Sequence, residues 1–291
     1  MSKSYHVKQD RNPVRVVRHF DLDAFIAAAA PMSLRGAASA SSFQGSAYAM
    51  KQSPPPPEER VYLATFGECG AAVQRDESPL FMGQSDPEAA VAFADDVAPD
   101  WPKLQGVVGA LPACEAFARR WREITGREHS IRVQLRQHML TAVAPVPAAS
   151  GAPRVAEEAD LGWLLDGQLA FVEEVGIPDS IERIRRWLPK RVAGGAFRIW
   201  EDGGPMAFAG FNDAPPEFAR IAPVYTLPRH RGRGYATALV AALSRELLGR
   251  GKQRLFLATD VSNPTSNAIY ARIGFVAETD EYHFDFVDPV A

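Results

Sequence analysis

The chain has 291 residues, 46% of them hydrophobic and 23% charged, with a formal net charge of −3; this excludes overall disorder and a global basic field for nucleic acid. No apolar run approaches the about 20 residues that span a bilayer, and the N-terminal MSKSYHVKQDRNPVR lacks the apolar stretch of a signal peptide, so a cytoplasmic protein is expected. Cys69 and Cys114 have no CxxC partner and are expected to be buried small hydrophobes, not a disulfide or a zinc site.

At about 100 to 200 residues per domain, the length favours two domains. Asp21 starts a helix, residues 61–66 and 71–74 alternate as strands, and Asp86-Pro87-Glu88 opens a second helix. A short strand at 106–108, a helix over 112–125 ending at Gly126, and a strand over 131–143 follow. Pro54 to Pro57 read as a stiff surface loop, whereas APVPAASGAP at 144–153 reads as a linker that divides the chain into domains 1–148 and 149–291. In the second half, Asp160 caps a helix to Val175, and IxxIRRWL gives another over 178–192. Residues 195–200 and 206–211 form a hairpin around Asp202-Gly203-Gly204, and 218–226 a longer strand. A helix over 234–248, a strand over 254–259, a short helix over 265–272 stopped by Gly274, and a strand over 275–286 complete an α+β order with a mixed sheet. The strand, helix, Gly, strand order of 106–143 parallels that of 255–286, as a duplicated fold would, or as two ordinary α+β halves would by chance.

The chemistry concentrates after the 218–226 strand, in Leu-Pro-Arg229-His-Arg231-Gly232-Arg233-Gly234-Tyr235-Ala236. Glycines without Cβ atoms let a bulky anion approach the backbone, and the start of the next helix offers unpaired N–H groups at the positive end of its dipole. Residues 220–254 contain eight Arg or Lys against one acid, Glu246, in a chain of net negative charge. The segment therefore favours a polyanionic ligand such as a phosphate ester. It is neither a Walker A loop, which needs Gly-Lys-Ser/Thr, nor a three-glycine dinucleotide fingerprint. The bare Arg-x-x-Gly-x-Gly pattern is weak; its place between a strand and a helix strengthens it.

A second cluster about 30 residues on, Thr259-Asp260-Val-Ser-Asn263-Pro-Thr-Ser-Asn267-Ala-Ile-Tyr270-Ala-Arg-Ile-Gly274-Phe275, completes a pattern. Together the two motifs resemble the GCN5-related N-acetyltransferase (GNAT) superfamily over residues 155–286. The resemblance implies a mixed, twisted sheet flanked by helices in each of two GNAT-like domains, the C-terminal one with a splayed cleft for acyl-CoA. It implies that Val224, Tyr225 and Thr226 offer backbone groups to the pantetheine arm. Arg229, Arg231, Gly232, Arg233, Gly234, Tyr235 and Ala236 would hold the pyrophosphate, and Asn263 and Asn267 would also bind the cofactor. Tyr270 would be the general acid that protonates the departing thiolate. Each also has a plainer explanation: Asn263 as a turn residue before Pro264, Asn267 as a surface helix residue, Tyr270 as a core aromatic.

A lysine-like acceptor amine with a pKa of about 10.4 is neutral in only about one molecule in 2,500 at pH 7, so a carboxylate relay is useful. Glu173, Glu174, Glu217 and Asp260 are the candidate bases. The histidines show no metal-ligand spacing, and His230 is expected to be a surface residue. Within the resemblance, residues 60–143 look like a degenerate copy with Ala118 opposite Tyr270 and no Arg-Gly loop, hence a scaffold or one wall of the acceptor cleft. The expected activity is transfer of the acetyl group of acetyl-CoA to a small-molecule or peptide primary amine by direct attack, without a metal, nucleic acid or membrane. A non-catalytic acyl-CoA-binding regulatory module is the alternative.

Overall fold

The computed structural model describes residues 15–288 apart from 36, 53, 77, 177–179 and 213–216. The first half runs β1 (Val16–Arg18), α1 (Leu22–Arg35), α2 (Ala37–Gln52), β2 (Val61–Phe66), β3 (Gly70–Arg75), β4 (Leu80–Met82), α3 (Pro87–Val97), β5 (Gly106–Gly109), α4 (Leu111–Thr125) and β6 (Glu128–Leu140). The second runs β7 (Ala152–Val155), α5 (Leu161–Val175), α6 (Ile181–Ala193), β8 (Phe197–Glu201), β9 (Pro205–Asn212), β10 (Phe218–Thr226), α7 (Tyr235–Gly249), β11 (Arg254–Asp260), α8 (Pro264–Ile273) and β12 (Val276–Val287).

Among the described residues the strands form one twelve-stranded mixed sheet in the order β1-β2-β3-β4-β5-β12-β6-β11-β10-β9-β8-β7. The two halves exchange their last strands. β6 lies against β11 from Leu255↔Leu140 to Asp260↔Leu135, and β12 lies against β5 from Tyr282↔Gly109 to Asp285↔Gly106. β6 and β12 pair with each other along almost their whole length, Val276↔Met139 to Val287↔Glu128. The backbones approach so closely that a Cβ on Gly106 would lie 2.0 Å from the Phe284 carbonyl oxygen, which excludes any other residue there. The division at 148/149 thus falls in a coil between β6 and β7, but it does not separate two sheets.

Helices cover both faces. On one, α3 and α4 pack over Tyr62, Ala64, Phe284 and Phe286, and α7 and α8 over Ala207, Ala209, Leu255 and Leu257. On the other, α1 and α2 pack over Leu63, Ala71 and Val73, and α5 and α6 over Phe197, Ile199 and Phe208. Burial on both sides explains why runs such as YLATF and LFLAT read as continuously apolar instead of alternating. Cys114 is buried in the first core, but Cys69 is exposed, because it sits in the turn between β2 and β3. No helix among the described residues is long and apolar enough to cross a membrane.

Candidate functional site

β10 and β11 are parallel neighbours that pair only at Phe218↔Arg254, Ala219↔Leu255 and Arg220↔Phe256. Beyond that point β10 follows β9 instead, with its register shifted between Ile221 and Val224 and then Val224↔Ala209, Tyr225↔Phe208 and Thr226↔Ala207. Pro223, which has no N–H to give a ladder, lies in the shifted stretch. The strands therefore diverge, and a cavity of about 550 Å³ opens between the end of β10, the start of α7 and one face of α8.

A short 3-10 turn, Pro228–His230, leads from β10 into Gly232 and Gly234, with φ of +77° and +81°. A Cβ at Gly232 would meet nothing within 4 Å, and one at Gly234 only the Ala149 methyl at 4.0 Å. The glycines are needed for their left-handed backbone and leave open space beside it. Gly234 caps α7 without a side-chain hydrogen bond, and no acid stands in the first turn, so the leading N–H groups of the helix face the cavity unopposed. The start of α7 is anchored by Tyr235, whose buried ring ends in a hydroxyl that donates to Asp202 at 2.6 Å; Asp202 also accepts from Ser150 at 2.5 Å. The Thr226 hydroxyl, in the wall, is buried without a partner among the described residues. Such a cradle suits an anion followed by a polar chain.

Val224, Tyr225, Thr226, Arg231, Gly232, Gly234, Tyr235, Ala236 and Asn263 all line the cavity, whereas Arg229 and Arg233 lie on the same loop outside its wall. Asn263 is the N-cap of α8, its side chain accepting from the Ser266 N–H at 3.0 Å. Asn267 does not line the cavity. Its amide donates to the carbonyls of Asp260, Val261 and Asn263 at 3.2, 3.3 and 2.8 Å, and its oxygen accepts from Thr259 at 2.5 Å, so it clamps the β11–α8 turn. Tyr270 is buried against Phe275, 5.9 Å between ring centroids, and faces the cavity. Its hydroxyl has no hydrogen-bond partner among the described residues, and burial pushes its pKa well above the ordinary phenol value.

The candidate bases separate. Glu174 reaches the cavity, where it accepts from Arg231 at 2.6 Å and from the Tyr225 hydroxyl at 3.2 Å. The Arg231 hydrogen bond holds its carboxyl below the usual range. Glu173 and Glu217 are exposed outside the cavity, and the Asp260 carboxylate accepts from the N–H and hydroxyl of Ser262, both at 2.7 Å, within its own turn. His230 lines the cavity and accepts from Arg229 Nε at 3.0 Å; desolvation and the neighbouring Arg229 and Arg233 depress its pKa. Sequence reasoning missed Thr265, Ile269 and Arg272, which line the wall at helical spacings of four and three from one another. Among the described residues no group of three or more His, Cys, Asp or Glu is placed to hold a metal.

In the first half β4 and β5 are likewise parallel, but the following helix, α3, begins with Asp86 as N-cap, Pro87 at its first position and Glu88 in its first turn. Acid replaces the arginines and glycines, and a proline removes one N–H. Ala118 on α4 is buried in the core.

Residues 165–275 match the acetyltransferase (GNAT) family. A curated relative, N-alpha-acetyltransferase MAK3 of Arabidopsis thaliana, is 33% identical over 64 residues, which are 22% of this chain and 34% of that protein; the chain thus spans about a third of its length. Several solved structures share the fold across nearly the whole chain. A Drosophila protein covers 94% of this chain and 99% of its own at 15% identity and a TM-score of 0.65. A GCN5-related N-acetyltransferase from Sphaerobacter thermophilus covers 95% and 97% at 17% and 0.59. A tandem GNAT protein from the clavulanic acid biosynthesis pathway covers 96% and 100% at 16% and 0.56. Residues 165–275 thus match the GNAT family, and over nearly its whole length the chain shares the fold of these solved structures.

Proposed function

We propose that the protein transfers the acetyl group of acetyl-CoA to a primary amine by direct attack, with residues 149–291 holding the donor and residues 1–148 non-catalytic. The observation that carries this reading is the pairing, across one cavity, of an acid-free helix start behind Gly232 and Gly234 with the unpartnered hydroxyl of Tyr270. The α7 N–H groups and Arg231 would hold the pyrophosphate, and the β10 edge from Val224 to Thr226, released from β11, would receive the pantetheine amides. The donor supplies a thioester, whose carbonyl the amine attacks as the thiolate leaves. Tyr270, kept protonated by its burial, would give that thiolate its proton.

The alternative, an acyl-CoA-binding module without turnover, is favoured by one feature: the only candidate carboxylate on the cavity, Glu174, is occupied by Arg231 and is a weak proton acceptor near neutrality. Tyr270→Phe separates the two readings. It keeps the ring and its packing, so acetyl-CoA affinity should hold, while kcat toward a panel of amines falls by about 10² to 10⁴. The deficit should shrink above the thiol pKa of about 8.5, where the thiolate leaves unprotonated. Wild-type turnover in the variant would reduce Tyr270 to a packing residue; tight CoA binding by the wild type with no turnover of any amine would favour the module.

A further inference from the structure

A second cavity, of about 570 Å³, lies between the halves and among the described residues shares no lining residue with the first. Its walls are α2 and the β3–β4 region of the first half, and α6 with the ends of β9 and α7 of the second. It meets β9 at Phe211 and Asn212, which pair with the beginning of β10, whereas the first cavity takes the end of β10.

Among the described residues its lining includes Arg75, Arg183, Arg186, Lys190, Arg191 and Arg250, and no acid. Arg186 and Lys190, and Arg183 and Arg191, stand four or eight residues apart and so share one side of α6. A charged helix face is ordinarily a solvated face, but this one looks across a confined space at another arginine, Arg75, from the opposite half. Arg75 and Arg250 have carboxylate partners in Glu59 and Glu246. Arg186 and Lys190 have none among the described residues. Arg191 is the most telling. Its guanidinium, shielded enough to lower its pKa to about 10, makes one hydrogen bond, to the Phe211 carbonyl at 2.8 Å, and stacks on Trp187 and Phe197 at 5.4 and 5.1 Å, with no carboxylate beside it. Arg186, Lys190 and Arg191, without carboxylate partners among the described residues and close together in a half-enclosed space, repel one another, and the shielded Arg191 lacks hydration; a bound anion corrects both. Trp187, Phe81 and Phe211 add apolar surface to the same wall.

We propose that this cavity is a binding site for a small organic anion of two or more negative charges with a flat apolar body, held jointly by both halves. Arg186, Lys190 and Arg191, with no carboxylate partner among the described residues, select the charge; Trp187 and the two phenylalanines select the body. The probe is naphthalene-1,5-disulfonate, titrated calorimetrically into the full chain with saturating CoA present, so that the glycine loop is excluded as its site. One molecule should bind per chain, with sodium sulfate, which lacks the ring, binding at least about tenfold more weakly. In the Arg186→Glu/Lys190→Glu variant, whose two sites are exposed and whose folding is checked by its melting temperature, affinity should fall at least about tenfold. Absence of saturable binding to the wild type, or equal affinity in the double variant, would overturn the proposal.

Discussion

Gly234 is the position at which fold stability and donor binding should respond in opposite order to the same pair of substitutions. Its φ of +81° disfavours any L side chain, yet a Cβ would meet only the Ala149 methyl at 4.0 Å, so Gly234→Ala should cost backbone strain alone, about 1 kcal/mol. For a chain of this size that is a fall of roughly 2–4 °C in melting temperature. Gly234→Glu carries the same strain, but its carboxylate lies at the positive end of α7, where about 0.3–1 kcal/mol returns. The Glu variant should therefore melt at or above the Ala variant. Toward CoA the order reverses: a carboxylate held about 5 Å from one phosphate charge opposes it by roughly 1–3 kcal/mol across effective dielectrics of 20 to 80. Calorimetric titration should show the Ala variant within a few-fold of wild type and the Glu variant weaker by at least about tenfold, a gap that narrows with added salt. Equal CoA affinities in the two folded variants would show that the pyrophosphate does not sit on this helix start.

Glu174→Gln removes a carboxylate that anchors Arg231, and turnover should change by less than about fivefold; a loss of 10² or more would make it the proton relay after all. Glu246 accepts from the buried Arg198, which lowers its pKa; its contribution to stability is therefore complete above the unfolded value of about 4.3 and disappears as pH falls through the folded one. Glu246→Gln should flatten that part of the acid-unfolding profile and cost about 1–3 kcal/mol near neutrality by leaving the guanidinium without its partner, as denaturant titration would reveal. Because β6 and β12 pair along almost their whole length, fragments cut within residues 144–150 and produced together should elute as one heterodimer; two separate monomeric peaks would contradict the strand exchange.

The cradle was legible because it is local: a strand end, two glycines at left-handed φ and a helix start follow one another within nine residues, and each leaves its own signature. The Tyr235 to Asp202 bond joins a helix start to a hairpin turn 33 residues away, which no spacing rule records. The part Asn267 plays in the turn is hidden for a related reason. Its motif marks the helix correctly, but the three carbonyls that saturate its amide are exposed only once the β11–α8 turn closes. The helix α2 is hard to read because its serines and glycine dilute the pattern; among its described side chains the buried ones are Phe43, Ala47 and Met50, at intervals of four and three. The strand exchange was invisible in principle, since an alternating segment such as β6 has the same pattern whichever half provides its neighbours.

That exchange bears on why a half without a cradle remains part of the protein. Where β10 leaves, the backbone of β11 from Leu257 to Asp260 loses its partner on the cleft side, and on the other side it is held by His138 to Leu135 of β6, a strand of the first half. The two strands are further tied by His138, which hydrogen-bonds Thr259 at 2.9 Å, and Arg220 of β10 donates to Gln137 of β6 at 3.0 Å across β11. Thr259 in turn donates to Asn267, so the position of α8, and with it that of Tyr270, is connected through one buried chain to a strand that the second half does not encode. A splayed pair of strands leaves a strand edge without its ladder, and here the opposite edge of β11 is paired with β6 from Leu255 to Asp260. Through β6 the first half thus supports one wall of the cleft, and an α3 start with Asp86, Pro87 and Glu88 is compatible with that task, because support needs the ladder of β6 and not a ligand.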